Sequence, residues 1–293
     1  MSAASNKAGI LLMIATTFVF AAQDSISAHL AKEYNTFVVV MIRYWFFAAF
    51  VLAVAARSAG GIRRTACTPQ LGLQIGRGVL LALEICVAIY GFTLIGLVES
   101  HALFATYPLM ITALSGPILR ETVGWRRWMA VVIGFLGMLV ILEPGRGVFE
   151  PVALIPIGSA FLFALYGLAT RYAARKDSTA TSFFWTGIVG AVVMTAIGLP
   201  NWQWMSLTDA LWMFALCMTG VLGHWMLIRC YELAEASAVQ PFAFFHQVFA
   251  AALGILIFAE TLRTNVAFGA AIILAAGIFA LWRAHRQSED DRW

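Results

Sequence analysis

A few polar side chains stand in stretches that are otherwise almost wholly apolar, and any chemistry done by this chain must pass through them. Gln23 and Asp24 follow Phe-Val-Phe-Ala-Ala, Arg43 follows Val-Val-Val-Met-Ile, and Glu84 follows Leu-Leu-Ala-Leu. His101, Tyr107, Tyr166, His224, His246 and Gln247 have similar surroundings. Ionisable groups in hydrocarbon are costly, and they face a partner or a water-filled cavity. The chemistry open to them is binding. A carboxylate beside a guanidinium suits a zwitterion, a lone carboxylate suits a proton, and imidazoles and phenols suit hydrogen bonds to a polar solute.

Catalysis has no comparable support. There is no GxxxxGK[ST] phosphate loop for ATP-driven pumping, and neither HExxH nor CxxC occurs. The five histidines are scattered, so no metal site and no cofactor are expected. Ser115-Gly116 with a histidine could form an intramembrane protease dyad, but no GxSx motif accompanies it. The four cysteines read as small apolar core residues.

The elements that must position these residues follow from composition. Of 293 residues, 61% are hydrophobic and 12% charged, with a mean hydropathy of +0.85, whereas soluble domains carry about 25% charged residues. The bilayer is the solvent that fits. Only helices or closed barrels satisfy every backbone group within it, and the long uninterrupted apolar runs select helices over the alternating pattern of barrel strands. A crossing needs about 20 residues. Ten runs qualify: 8–28, 36–56, 76–97, 99–119, 126–142, 152–171, 179–199, 208–229, 236–258 and 265–282.

With ten spans both termini lie on one side. Fifteen Lys and Arg fall there, among them Arg63, Arg64, Arg77, Arg126, Arg127 and Arg175, against three (Lys32, Arg146 and Arg263) on the other. The positive-inside rule makes the basic side cytoplasmic, so a multi-pass protein of the inner (plasma) membrane is expected. The same asymmetry accounts for the net charge of +4 without a nucleic-acid partner. The expected partners are the lipid bilayer and a small-molecule solute.

The chain also repeats. An offset of 143 lays Phe18, Phe20 and Ala21 on Phe161, Phe163 and Ala164. An offset of 139 lays Ala113, Leu114, Ile118, Glu121 and Thr122 on Ala252, Leu253, Ile257, Glu260 and Thr261. Two units result, 1–147 and 148–293, each with five spans. Because five is odd, the copies enter the membrane from opposite faces, and inverted repeats are a transporter device that can give inward- and outward-open states of similar energy. The expected fold is an all-α membrane protein of ten transmembrane helices, two inverted five-helix repeats around a central cavity.

Each repeat ends with a glutamate before its last helix, in Arg120-Glu121-Thr122 and Ala259-Glu260-Thr261, followed by a Gly/Ala-rich span. With its ten helices and its length, the chain resembles the drug/metabolite transporter superfamily, and within it the EamA-type exporters. Glu84-Ile-Cys-Val-Ala resembles the aromatic amino-acid exporter branch. The resemblance implies a cavity between the halves and export of amino acids or related metabolites. The expectation is a secondary or facilitative exporter working by alternating access. An intramembrane enzyme and a non-transporting scaffold are the alternatives.

Within that frame Asp24 and Arg43 sit at similar depths, at about 1.5 Å per helical residue. Both charges are absent from the second copy, where Gly167 and Thr186 take their places. An ion pair is therefore expected, either fixing two helices or gripping a zwitterion. Glu84 is open to two readings, proton coupling or a hydrogen bond to a neighbouring helix. Glu121 and Glu260 lie at span ends, where they can reach water or meet the next helix's N-terminus. Phe163, Trp185 and Phe245, with Tyr107 and Tyr166, could line a cavity with π-faces or serve as packing aromatics. Pro108, Pro156 and Pro241 are expected to loosen their helices.

Overall fold

The computed structural model describes residues 3–95, 97–143, 151–258 and 264–290. All regular structure among them is helical. In chain order the helices are α1 (Ala3–Glu33), α2 (Thr36–Arg57), α3 (Gly61–Ala66), α4 (Leu71–Ile95), α5 (Leu97–Phe104), α6 (Tyr107–Leu114), α7 (Trp125–Leu142), α8 (Leu154–Ala173), α9 (Thr179–Gly198), α10 (Leu207–Leu233), α11 (Ala236–Ala243), α12 (Phe245–Phe258) and α13 (Thr264–Asp290). Eight stretches of the described residues are long and apolar enough to cross a bilayer, and Tyr107–Leu119 and Thr264–Ala280 are shorter apolar helices. The loop 144–150, Arg263 and the Glu260-Thr261 copy of the repeated motif lie outside the described residues.

Two of the ten expected spans are not single helices. The run 99–119 is α5, then α6, then a π-helical turn over Ser115–Leu119. Proline explains the first break. Pro108 has no N–H for the carbonyl of Phe104, and its ring crowds that turn, so the helix restarts with Leu109 and Met110 N–H groups bonding the Thr106 carbonyl. The run 236–258 divides at Phe244, three residues beyond Pro241. The 139-residue offset carries Ala105, at the first break, onto Phe244, at the second. Interrupted helices at corresponding positions of two repeats point to the binding site of a transporter.

The most extensive helix pairs, α1 with α10, α7 with α13, α4 with α8 and α2 with α9, each join an element of α1–α7 to one of α8–α13. The core therefore lies between the two parts of the chain. In lipid, association relies on close packing and hence on small residues. A Cβ at Gly269 of α13 would fall 2.5 Å from the Gly137 carbonyl of α7, and one at Gly190 of α9 only 1.9 Å from Cε1 of Tyr44 on α2. Gly190→Ala is thus expected to lower the melting temperature in detergent by several degrees, overpacking costing about 1–3 kcal/mol. Gly72→Ala, where nothing lies within 4 Å, should not lower it. Side chains such as Leu11, Val192 and Leu211 stay exposed on the periphery, as a lipid-facing surface requires.

Candidate functional site

Arg43, Tyr44 and Phe47 of α2, Ile85 of α4, and Cys217, Gly220, Val221 and His224 of α10 line a narrow cleft between the two parts of the chain. Arg43 makes no ion pair and no hydrogen bond to any described residue. Gly220 makes room for it: a Cβ there would lie 3.3 Å from Nη2, 3.4 Å from Nε and 3.5 Å from Oε1 of Gln23. The Gln23 carbonyl thus borders the same space as the guanidinium. Gln23 Oε1, Tyr44 OH and His224 Nδ1 are buried without a hydrogen bond. The His224 ring stacks on Phe47 at 6.1 Å and meets Phe20 edge-on at 5.6 Å. Buried polar groups left unsatisfied cost about 1–3 kcal/mol each. Together these offer five guanidinium donors, several acceptors and two aromatic faces to one solute.

Asp24 corrects the sequence-based pairing. Its carboxylate Oδ2 lies 2.9 Å from Nε2 of His246, and no ion pair with Arg43 forms among the described residues. The reason is lateral: the break at Phe244 puts His246 in the first turn of α12, and α12 packs on α1. Depth along a helix could not reveal that. Arg43 and His101 act on Asp24 through space. Asp24 keeps 44% of its side chain accessible and His246 20%. Asp24 is on the inward stripe of α1 with Met13, Thr17 and Ala21, which are buried. Gln247 follows in the same turn, its backbone N–H closing onto the Phe244 carbonyl.

Glu84 forms a hydrogen bond between helices. Buried on α4, it accepts from Ser159 Oγ of α8 at 2.9 Å. Tyr107 and Phe163 meet edge-on at 4.8 Å, with Tyr166 next at 6.1 Å from Phe163. Trp185 does not join: its Nε1–H donates to the Ala66 carbonyl at 3.1 Å, at the end of α3. Nor does Phe245, which packs against Phe242, Phe249 and Gly277.

At the end bearing the basic loops the two parts are bound tightly. Glu121 accepts from Ala236 N–H at 3.0 Å, Ser237 N–H at 3.1 Å and Ser237 Oγ at 3.0 Å, and Arg171 Nε lies 3.3 Å from it. The helix it caps is α11, across the chain, rather than the next helix α7. Arg127 pairs with Glu235 at 2.6 Å, and Arg175 donates to the Leu119 carbonyl. At the opposite end, bonds such as Asn35 N–H to Gln203 Oε1 and Ser206 N–H to the Tyr34 hydroxyl are exposed.

Sequence reasoning also missed Arg77, counted as a loop cation. It is fully buried, donating from Nη1 to Gln74 Oε1 at 2.6 Å and the Ser182 carbonyl at 2.8 Å, and from Nε to Thr170 Oγ1 at 3.1 Å. Gln74 passes on to Asp177 at 2.8 Å. The spacing of Gln74 and Arg77, three apart on one helix face, was the available signal. Phe47 and Gly220 carry none, being ordinary residues in an apolar run.

Comparison with known proteins identifies the family. The EamA-like transporter family model matches twice, at residues 7–143 and 151–282. A riboflavin transporter of Vibrio cholerae is 29% identical over 97% of this chain and 96% of its own length. An S-adenosylmethionine uptake transporter of Rickettsia felis is 28% identical over 89% and 88%. A crystal structure described simply as that of a protein superposes with a TM-score of 0.81, covering 98% of this chain and 99% of the other at 16% identity; that likeness concerns the fold. Family and relatives alike are transporters, not enzymes.

Proposed function

Since this chain belongs to the EamA-like transporter family, we propose that it takes up a small metabolite made of a planar heteroaromatic ring and a hydroxylated or charged side chain, by alternating access. The observation that carries this is the Arg43 guanidinium, which pairs with no described residue and stands in a cleft bordered by Gln23, His224 and Phe47. A planar fork of donors fits the acceptor edge of a ring imide or a carboxylate, and the aromatic and aliphatic lining from Tyr44, Phe47, Ile85 and Val221 suits a flat apolar ring. Riboflavin and S-adenosylmethionine, named for the relatives, share a flat nitrogenous ring system and a vicinally hydroxylated five-carbon group.

Amino-acid export, the narrower expectation, fits less well. A zwitterion would need Asp24 free for its ammonium group, and Asp24 already faces His246. The Rickettsia relative is named for uptake, which supports inward flux. The two halves are read as inverted copies, residues 1–147 and 148–293, crossing an inner membrane with the basic ends in the cytoplasm. Tight bonding at the basic end and an accessible Asp24 suit a state open to the opposite side.

Reconstituted protein in liposomes should show saturable uptake of radiolabelled riboflavin or S-adenosylmethionine, competed by the unlabelled compound. Saturable flux of amino acids alone, or of nothing in the panel, overturns the reading.

A further inference from the structure

Toward the basic end from the cleft lies a second polar cluster, and it is shut. Arg77 of α4, Tyr166 of α8 and Gln240 of α11 are 0% exposed, and Tyr231 of α10 is 1% exposed. They converge. The Arg77 guanidinium carbon is 5.4 Å from the Tyr166 ring centroid. Gly167, beside Tyr166, faces Tyr231 so closely that a Cβ there would be 3.0 Å from the phenol oxygen. Tyr107 lies within electrostatic reach of Tyr231, and so does Tyr166. Arg77 thus faces Tyr166, and Gln240 faces Tyr231, but among the described residues Arg77 Nη2, Tyr166 OH, Tyr231 OH and Gln240 Oε1 complete no hydrogen bond of good geometry. The other Arg77 nitrogens are fully engaged, and Gln240 Nε2 donates to the Ala236 carbonyl at 2.8 Å.

Four partly satisfied groups from four helices make an expensive core, because a half-satisfied buried network is worse than an apolar one. Their positions suggest what satisfies them. The 139-residue offset lays His101 on Gln240 and Tyr107 on His246. His101 and His246, which act on Asp24, thus correspond to Gln240 of the closed cluster and to Tyr107 within reach of it.

We propose that Arg77, Tyr166, Tyr231 and Gln240 form a second substrate station, engaged when the halves part toward the basic end, and that it binds the hydroxylated chain of the solute. The inference rests on the transport reading above. The donor and acceptor set decides the class of ligand. A carboxylate only accepts, and Gln240 Oε1 would repel it. A vicinal polyol both donates and accepts at every hydroxyl, which matches the two N–H groups of one guanidinium nitrogen, two phenols that can do either, and one amide oxygen. Arg77 needs no anionic ligand, since Gln74 already links it to Asp177.

The test compares riboflavin with lumiflavin, which has the same ring system and a methyl group in place of the ribityl chain. In liposomes the Tyr166→Phe/Tyr231→Phe variant should lose about tenfold in maximal uptake of riboflavin, the effect of one or two lost hydrogen bonds. Lumiflavin uptake should change less than twofold. The external KM for riboflavin should hold, and the melting temperature should not fall, because removing unsatisfied hydroxyls relieves the core. Equal losses for both flavins, undiminished riboflavin uptake, or a lowered melting temperature with parallel loss of both would each overturn the station. If the unsubstituted protein carries neither flavin, the same pair of Phe substitutions is read with S-adenosylmethionine against its 2′,3′-dideoxy analogue. Absence of flux for all four solutes in the unsubstituted protein strikes the transport reading itself, and the station falls with it.

Discussion

Arg43→Ala should reduce substrate uptake by about 10- to 100-fold while leaving the melting temperature unchanged. A hydrogen bond to a charged group contributes about 1.5–3 kcal/mol, and each 1.4 kcal/mol is about tenfold in affinity. Loss of transport without loss of stability is an unusual combination for an intramembrane arginine. Such a residue ordinarily anchors its own helix through a partner, and truncation then leaves the partner's charge stranded. Here no described residue is stranded, because Arg43 has no ion pair or hydrogen bond to any of them. Arg43→Lys should recover only part of the activity, since an ammonium is a point charge and cannot present the planar fork. Liposome uptake measured alongside thermal unfolding in detergent checks both halves of the expectation. An Arg43→Ala protein that transports with the native KM would remove the basis for placing the solute in this cleft.

Membrane class and the approximate spans were legible because they depend on composition, which is a property of whole segments. Eight of the ten expected spans are unbroken helices, and Ala105 and Phe244 mark where the other two fail. Pro108 and Pro241 were visible, but a proline announces only that a helix is weakened. Whether it bends or divides depends on what packs against it. The same limit explains Asp24. Its depth could be counted along α1, yet its partner was decided by which helix lies beside it, and that turned out to be α12 with His246. Arg77 was misplaced for a related reason. Six residues into α4 it reads as the tail of a basic loop, while the residues that bury it, Thr170, Ser182 and Tyr166, come from about ninety to a hundred positions later in the chain.

Glu121→Ala should be the most damaging single substitution at the basic end, lowering stability by about 3–5 kcal/mol, the usual effect of removing one partner from a buried ion pair. The carboxylate is 7% exposed and Arg171 15%, so screening by water is slight. Three further bonds end on the same two oxygens, two of them from the first backbone N–H groups of α11. Those N–H groups have no carbonyl of their own helix to meet, and a negative charge there also complements the helix dipole. Pro241 adds to the demand, because a helix with a proline inside it has fewer internal bonds and depends more on its cap. The melting temperature in detergent should fall by about 6–20 °C, at roughly 2–4 °C per kcal/mol for a chain of this size. Glu121→Gln, which keeps an acceptor for α11 but loses the charge facing Arg171, should fall between the two. An alanine variant that melts with the native protein would show that α11 holds its place without this cap. The bond set ties the π-helical turn after α6 to the start of α11, which are the two ends of the interrupted helices. A loosened cap should therefore also speed opening at the basic end, raising passive leak of substrate from preloaded liposomes in proportion to the stability lost.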